Sequence, residues 1–149
     1  VKLKAAADFG ALLLNGYGSG MDLVAPALSR EERDRTALSI LQACRLRISK
    51  TEYIACPGCG RTLFDLPRTL RQVREATSHL KHLKIAVMGC VVNGPGEMAD
   101  ADYGYVGAGR GRVSIYKNRQ LMVKNIPAQE ALESLKRIIR ENGDWRDPE

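Results

Sequence analysis

The chemistry of this chain is concentrated in two short stretches, C-P-G-C-G-R-T at residues 56–62 and G-C-V-V-N-G-P-G-E at residues 89–97. Together they supply three thiols, Cys56, Cys59 and Cys90, and one carboxylate, Glu97, seven residues beyond Cys90. Iron–sulfur clusters are held by thiolates drawn from several loops, and this pattern supplies them. A structural zinc site wants four closed ligands, usually two C-x-x-C knuckles or added histidines. The two histidines, His79 and His82, fall at the end of an expected helix and before an expected strand, which puts them at the opposite end of a sheet from Cys90. A thioredoxin-like dithiol usually opens a helix, whereas C-P-G-C-G-R-T carries two glycines and reads as a loop. Zinc and dithiol readings stand as alternatives behind the cluster.

An electron-carrying cluster normally has four thiolates. The remaining cysteine, Cys44, falls on the apolar stripe of an expected helix and reads as a small buried hydrophobe. Glu97 is the other candidate, brought back by the turn Asn93-Gly94-Pro95-Gly96. A carboxylate is a harder ligand than a thiolate and is displaced more easily by a substrate oxygen. The residues alone leave Glu97 open between that role and an exposed turn. The turn glycines allow close backbone approach, and their N–H groups suit cluster sulfides or an oxyanion. Arg45, Arg47 and Arg61 flank the cysteines in sequence. Guanidinium matches phosphate through its planar fork, so they read either as anion contacts or as solvated surface.

These groups need elements to hold them. Ser29 with Glu32 forms a capping-box signature for a helix over residues 30–44, striped by Ala37, Leu41 and Cys44. Residues 51–55 read as a strand delivering Cys56. A helix over 64–80 follows, with Asp65 as cap and Pro67 in its first turn. Residues 83–89 form a second, continuously apolar strand ending at Cys90. A parallel, right-handed βαβ unit results, and its crevice opens at the carboxyl ends of the strands, where Cys56 and Cys90 sit. Beyond residue 100 come short strands broken by glycine or Asn118, then a helix begun by Pro127 and ended by Gly143. At the other end, residues 10–14 read as a buried strand entering a glycine turn. The fold class expected is α/β, a small mixed sheet with about three flanking helices.

The bulk properties narrow the partners. The chain has 149 residues, a net charge of +6 and an isoelectric point near 9.3, which fits an anionic partner. Aromatics are only 5%, and Lys and Arg are spread along the chain, so nucleic acid is not expected. No apolar run reaches membrane-spanning length and no signal segment opens the chain, so no membrane partner is expected. The C-x-x-C spacing favours metal or redox work over a disulfide framework and points to a reducing compartment. The chain opens at Val1 in mid-pattern, which reads as a fragment or a processed product.

Three segments, TEYIACPGCGRTLFDL, LKIAVMGCVVNGPGEMADADYGYVG and GDWRDP, strongly resemble the C-terminal iron–sulfur domain of the 4-hydroxy-3-methylbut-2-enyl diphosphate synthase family. DFGALLLNGYGSGMDL resembles the tail of the inserted barrel-like domain found in the large, plant- and chlamydia-type form. There Asn15 and Ser19 stand where members often carry aspartates. The resemblance implies a domain boundary, with residues 1–40 as that tail plus a connecting helix and 41–149 as the cluster domain. It implies a fold similar to the iron–sulfur domains of sulfite and nitrite reductases. It implies a 4Fe–4S cluster on Cys56, Cys59, Cys90 and Glu97, with Glu97 yielding its iron to a substrate oxygen and Asn93 contacting that oxygen. The implied reaction is reductive ring opening and dehydroxylation of 2-C-methyl-D-erythritol 2,4-cyclodiphosphate. Electrons would come from ferredoxin or flavodoxin, in the bacterial cytoplasm or plastid stroma, and Arg45 and Arg47 are the anion contacts assigned to the substrate. The family's substrate-binding N-terminal barrel does not fit in this chain. It meets the cluster domain across a homodimer or within a longer polypeptide, so this chain alone would bind a cluster and turn over poorly. The rival reading is a non-catalytic electron-transfer or metal-binding module.

Overall fold

The computed structural model describes the chain except for Leu63, Asn93 and Glu149. The backbone groups into two compact units, Val1–Ser49 and Lys50–Glu149. The 40/41 boundary expected from sequence falls within a helix of the first unit.

The first unit holds α1 (Lys2–Leu14) and α2 (Arg30–Ala43). Residues 10–14, expected as a strand, are the last turns of α1. A five-residue apolar run cannot by itself separate a strand from a buried helix, and the preceding lysines and alanines are strong helix formers. Ala5, Phe9 and Leu13 recur at helical spacing and pack with Ile40 and Leu41, while Leu12 and Leu14 face solvent. The capping box of α2 forms as expected. The Glu32 N–H donates to Ser29 Oγ and the Ser29 N–H to Glu32 Oε2, each at 3.2 Å.

The second unit is a five-stranded mixed sheet. Its elements are β1 (Glu52–Ala55), α3 (Leu66–Thr77), β2 (Lys84–Met88), α4 (Gly94–Glu97), β3 (Tyr103–Gly109), β4 (Arg112–Lys117), β5 (Gln120–Pro127) and α5 (Ala128–Glu141). The strands lie in sequence order; β1, β2 and β3 are parallel, and β4 and β5 complete an antiparallel meander. The expected βαβ unit is thus β1–α3–β2, with the Asp65 side chain accepting from the Arg68 N–H at 3.0 Å.

Side chains alternating along β2 serve two cores. Ile85 and Val87 join the larger core with Val73 of α3 and Leu135, Ile138 and Ile139 of α5. Ala86 and Met88 join a smaller core with Met98, Ala101 and Val106. Burial on both faces explains why β2 reads as a continuous apolar run. The second face is covered by the β2–β3 connection itself, and that connection carries Cys90 and Glu97.

The segment after α5 is tied to the amino-terminal side of the parallel strands. The buried Tyr103 hydroxyl donates to Asp144 Oδ2 at 2.6 Å, and burial, then Asp144, push its pKa up. Trp145 meets the His79 ring edge-on at 5.0 Å and carries the Arg140 guanidinium 4.3 Å from its ring centroid. Replacing Asp144 with Ala strands the Tyr103 hydroxyl in the core. A loss of about 1–3 kcal/mol is expected, read as a lower urea midpoint. Tyr103→Phe removes the orphan together with its partner and should cost less.

Candidate functional site: a thiol-lined recess

Register brings the ends of β1 and β2 side by side, with Ala55 opposite Val87. Cys56 therefore leaves β1 next to Gly89, the residue that precedes Cys90. The Gly89 N–H donates to Cys56 Sγ at 3.2 Å. From Cys56 the chain enters the C-x-x-C loop, and Cys59–Thr62 closes as a turn, with the Thr62 N–H donating to the Cys59 carbonyl at 2.9 Å. Cys56, Cys59, Arg61, Cys90 and Glu97 all line one recess of about 90 Å³, together with Met88 and Gly94. The three thiols meet at the strand ends as their spacing predicted, and Glu97, which the residues alone left open, lines the same recess.

Glu97 reaches the recess on one short helical turn. Where a glycine turn is expected over residues 93–96, Gly94–Glu97 form α4, whose Gly94 carbonyl accepts from the Met98 N–H at 2.9 Å. Gly94 is buried where a Cβ would stand 2.8 Å from Val106 Cγ1 and 3.2 Å from Met88 Cβ. The turn can therefore lie flat on the sheet only with glycine there. The next residue after Glu97, Met98, is fully buried, with its sulfur in the space left by Gly104. Glu97 itself is exposed. Its backbone is anchored while its side chain reaches solvent.

Charge is focused on Cys59. The Arg61 backbone N–H, then the Arg61 guanidinium, hold the Cys59 thiol below its ordinary pKa, and the Thr62 hydroxyl adds to this. The thiolate is the metal-binding form. Arg61 is held charged by its bond to Cys59 and by the nearby Cys59, Cys90 and Glu97 charges. From sequence Arg61 reads as an anion contact or as solvated surface, and Thr62 has no assigned role. The signal available was a threonine three residues after a cysteine, a spacing at which side chains close turns on the backbone.

The other predicted residues lie elsewhere. Cys44 caps α2 in the first unit and packs against its apolar cluster, its sulfur 4.0 Å from the Gly10 carbonyl. Arg45, at φ +62°, and Arg47 are exposed residues of the first unit following α2. Asn93 lies outside the described residues. His79 and His82 keep company with Trp145 and Asp144, at the amino ends of the strands. Among the described residues, no three His, Cys, Asp or Glu side chains stand close enough to hold a single ion.

A mixed sheet that gathers three thiols and a carboxylate around one recess defines an α/β domain built to present thiolates at its strand ends. The family described as GcpE protein C-terminal domain matches residues 52–141, and the chain belongs to it. A Parabacteroides distasonis protein named 4-hydroxy-3-methylbut-2-en-1-yl diphosphate synthase (flavodoxin) is 61% identical over 145 residues, 97% of this chain and 24% of the relative. Proteins of the same name from Chlorobaculum tepidum and Chlamydia caviae are each 51% identical, over 99% and 97% of this chain and 20% and 24% of their own lengths. The chain thus spans about a quarter or less of the length of these relatives.

Proposed function

We propose that this chain is the cluster-bearing part of a longer reductase and holds a 4Fe–4S cluster through Cys56, Cys59, Cys90 and Glu97. The whole enzyme would convert 2-C-methyl-D-erythritol 2,4-cyclodiphosphate to 4-hydroxy-3-methylbut-2-enyl diphosphate, by ring opening and dehydroxylation with two electrons. The observation that carries this reading is the shared recess, in which two strand ends and one connecting turn contribute all four donors.

The donor set fits the group. A polynuclear cluster takes one outer ligand per metal and accepts donors spread around a recess. It also favours sulfurs that receive hydrogen bonds, as Cys56 does from Gly89 and Cys59 from its own turn. Bound there, such a cluster supplies electrons singly and one Lewis-acidic iron.

The protein's own groups do the rest. Glu97 is the hardest donor of the four, and its exposed side chain has room to turn on a fixed backbone. The Arg61 guanidinium faces Cys59, Cys90 and Glu97 and offers a cation to a displaced carboxylate or an incoming phosphate oxygen. Asn93, Arg45 and Arg47 stay assigned as substrate contacts. The relatives' names carry flavodoxin, and a one-electron carrier of that kind, or ferredoxin, is the donor assigned here. A reducing compartment, bacterial cytoplasm or plastid stroma, belongs to the same reading. The substrate-binding barrel would come from the remainder of a longer protein or across a homodimer, so the chain alone should hold a cluster and turn over little.

Anaerobic reconstitution with iron and sulfide, followed by metal counts and EPR, tests this. The expected result is a cluster spectrum with iron and little zinc, and in Glu97→Ala a retained cluster with one altered iron. If Cys44→Ala, and not Glu97→Ala, produces the missing-ligand signature, the assignment is wrong.

A further inference from the structure

We propose that Thr62 is the positioning residue of the thiol recess: its hydroxyl locks the Cys59–Thr62 turn and so aims the sulfur of Cys59, while its carbon side supports the peptide that precedes Cys90. The Cys59 N–H donates to Thr62 Oγ1 at 3.0 Å, and the Thr62 N–H returns a bond to the Cys59 carbonyl at 2.9 Å. The turn is therefore closed at both ends by one residue. Thr62 also covers Gly89. A Cβ placed on Gly89 would lie 2.8 Å from Thr62 Oγ1 and 3.0 Å from Thr62 Cγ2, so threonine occupies the space that any larger residue at 89 would need. Gly89 in turn donates to Cys56 Sγ at 3.2 Å and leads directly to Cys90. One side chain thus touches both backbone segments that carry the three sulfurs.

The hydroxyl has a second consequence. Its oxygen accepts the Cys59 N–H, which leaves its own proton to be donated, and it lines the same recess wall as Cys56 and Cys59. Hydrogen bonds to ligating sulfurs help to set the potential of an iron–sulfur centre, and each stabilises the more negative, reduced state. Thr62 therefore holds the potential up. This redox half rests on the cluster reading above; the positioning half does not.

Valine copies threonine's shape without the hydroxyl, and serine keeps the hydroxyl without the methyl. In the metal-free chain, the Cys59 amide should exchange with solvent slowly. In Thr62→Val it should exchange about tenfold faster, as expected for loss of one hydrogen bond, and in Thr62→Ser it should stay near the parent rate. In the reconstituted protein, an EPR-monitored titration should give a more negative midpoint for Thr62→Val and a parental midpoint for Thr62→Ser. An unprotected Cys59 amide in the parent chain, read without any variant, overturns the lock. Thr62→Ser matching Thr62→Val in both measurements assigns the effect to side-chain volume and overturns the role of the hydroxyl. If the parent chain takes up no cluster, the cluster reading falls, and the amide measurement still decides the lock.

Discussion

Cys90→Ser is expected to lower cluster affinity by at least roughly a hundredfold, whereas Cys44→Ser leaves uptake unchanged. Loss of a group that merely orients a ligand costs about 10–100-fold in metal affinity, so loss of a ligand itself must cost no less. Serine is close to isosteric, but its hydroxyl is not deprotonated near neutral pH and is a poor match for iron among sulfides. The fold should survive. The Cys90 carbonyl, which accepts the Gly94 N–H at 3.3 Å, is unchanged, and the Cys90 side chain is only half-buried. Circular dichroism and the denaturation midpoint should therefore stay within about 0.5 kcal/mol of the parent protein, while iron per chain collapses. Cys44 is the matched control because it is a half-buried thiol packed on the apolar cluster of the first unit. If both serine variants lose iron equally, the sulfur set is misassigned.

What could be read from sequence divides along the range of the forces involved. Ser29 with Glu32, Asp65 before Leu66, and Gly143 after α5 act within one turn of chain, and each is found where it was expected. The continuous apolar run of residues 83–89 reported burial on both faces, and from that the parallel pairing of β2 and the strand-end position of Cys90 followed. The strand expected at 10–14 failed because the alternation of Leu13 inward with Leu12 and Leu14 outward fits a helix as well as a strand. Only the partner surface, Ile40 and Leu41, decides between them. The short helix carrying Glu97 was hidden for a similar reason. Gly94 and Gly104 look like turn residues, yet they are glycine because Val106 and Met98 occupy the space across the sheet. Thr62 was invisible in its role because its partners are backbone atoms, which no residue pattern names.

The same kind of hidden glycine gives the largest effect expected on the folded protein. Gly107→Ala should destabilise the second unit by about 2–3 kcal/mol, and Gly107→Val by more. A Cβ at 107 runs into the Gly89 carbonyl oxygen and lies 3.0 Å from both the Gly89 carbonyl carbon and Phe64 Cε1. Two of these three atoms are backbone, so no rotamer change relieves the contact; β3 must move away from the end of β2. Pairing between those strands runs only to Met88 opposite Val106, so the strain falls on the last pair and on the Gly89 peptide beyond it. The Gly89 N–H donates to Cys56 Sγ, and its carbonyl begins the segment bearing Cys90. Loss of stability and loss of cluster uptake should therefore appear together in Gly107→Ala, measured by urea unfolding of the metal-free chain and by iron content after reconstitution. Gly96→Ala is the counterpart, at an exposed site with nothing within 4 Å of an added Cβ, and should leave stability unchanged or slightly raised. A Gly107→Ala protein with parental stability and parental iron would mean that β2 and β3 separate freely at this edge. In that case the recess would not be preorganised by the sheet, and the C-x-x-C loop alone would have to hold Cys56 and Cys59 in place.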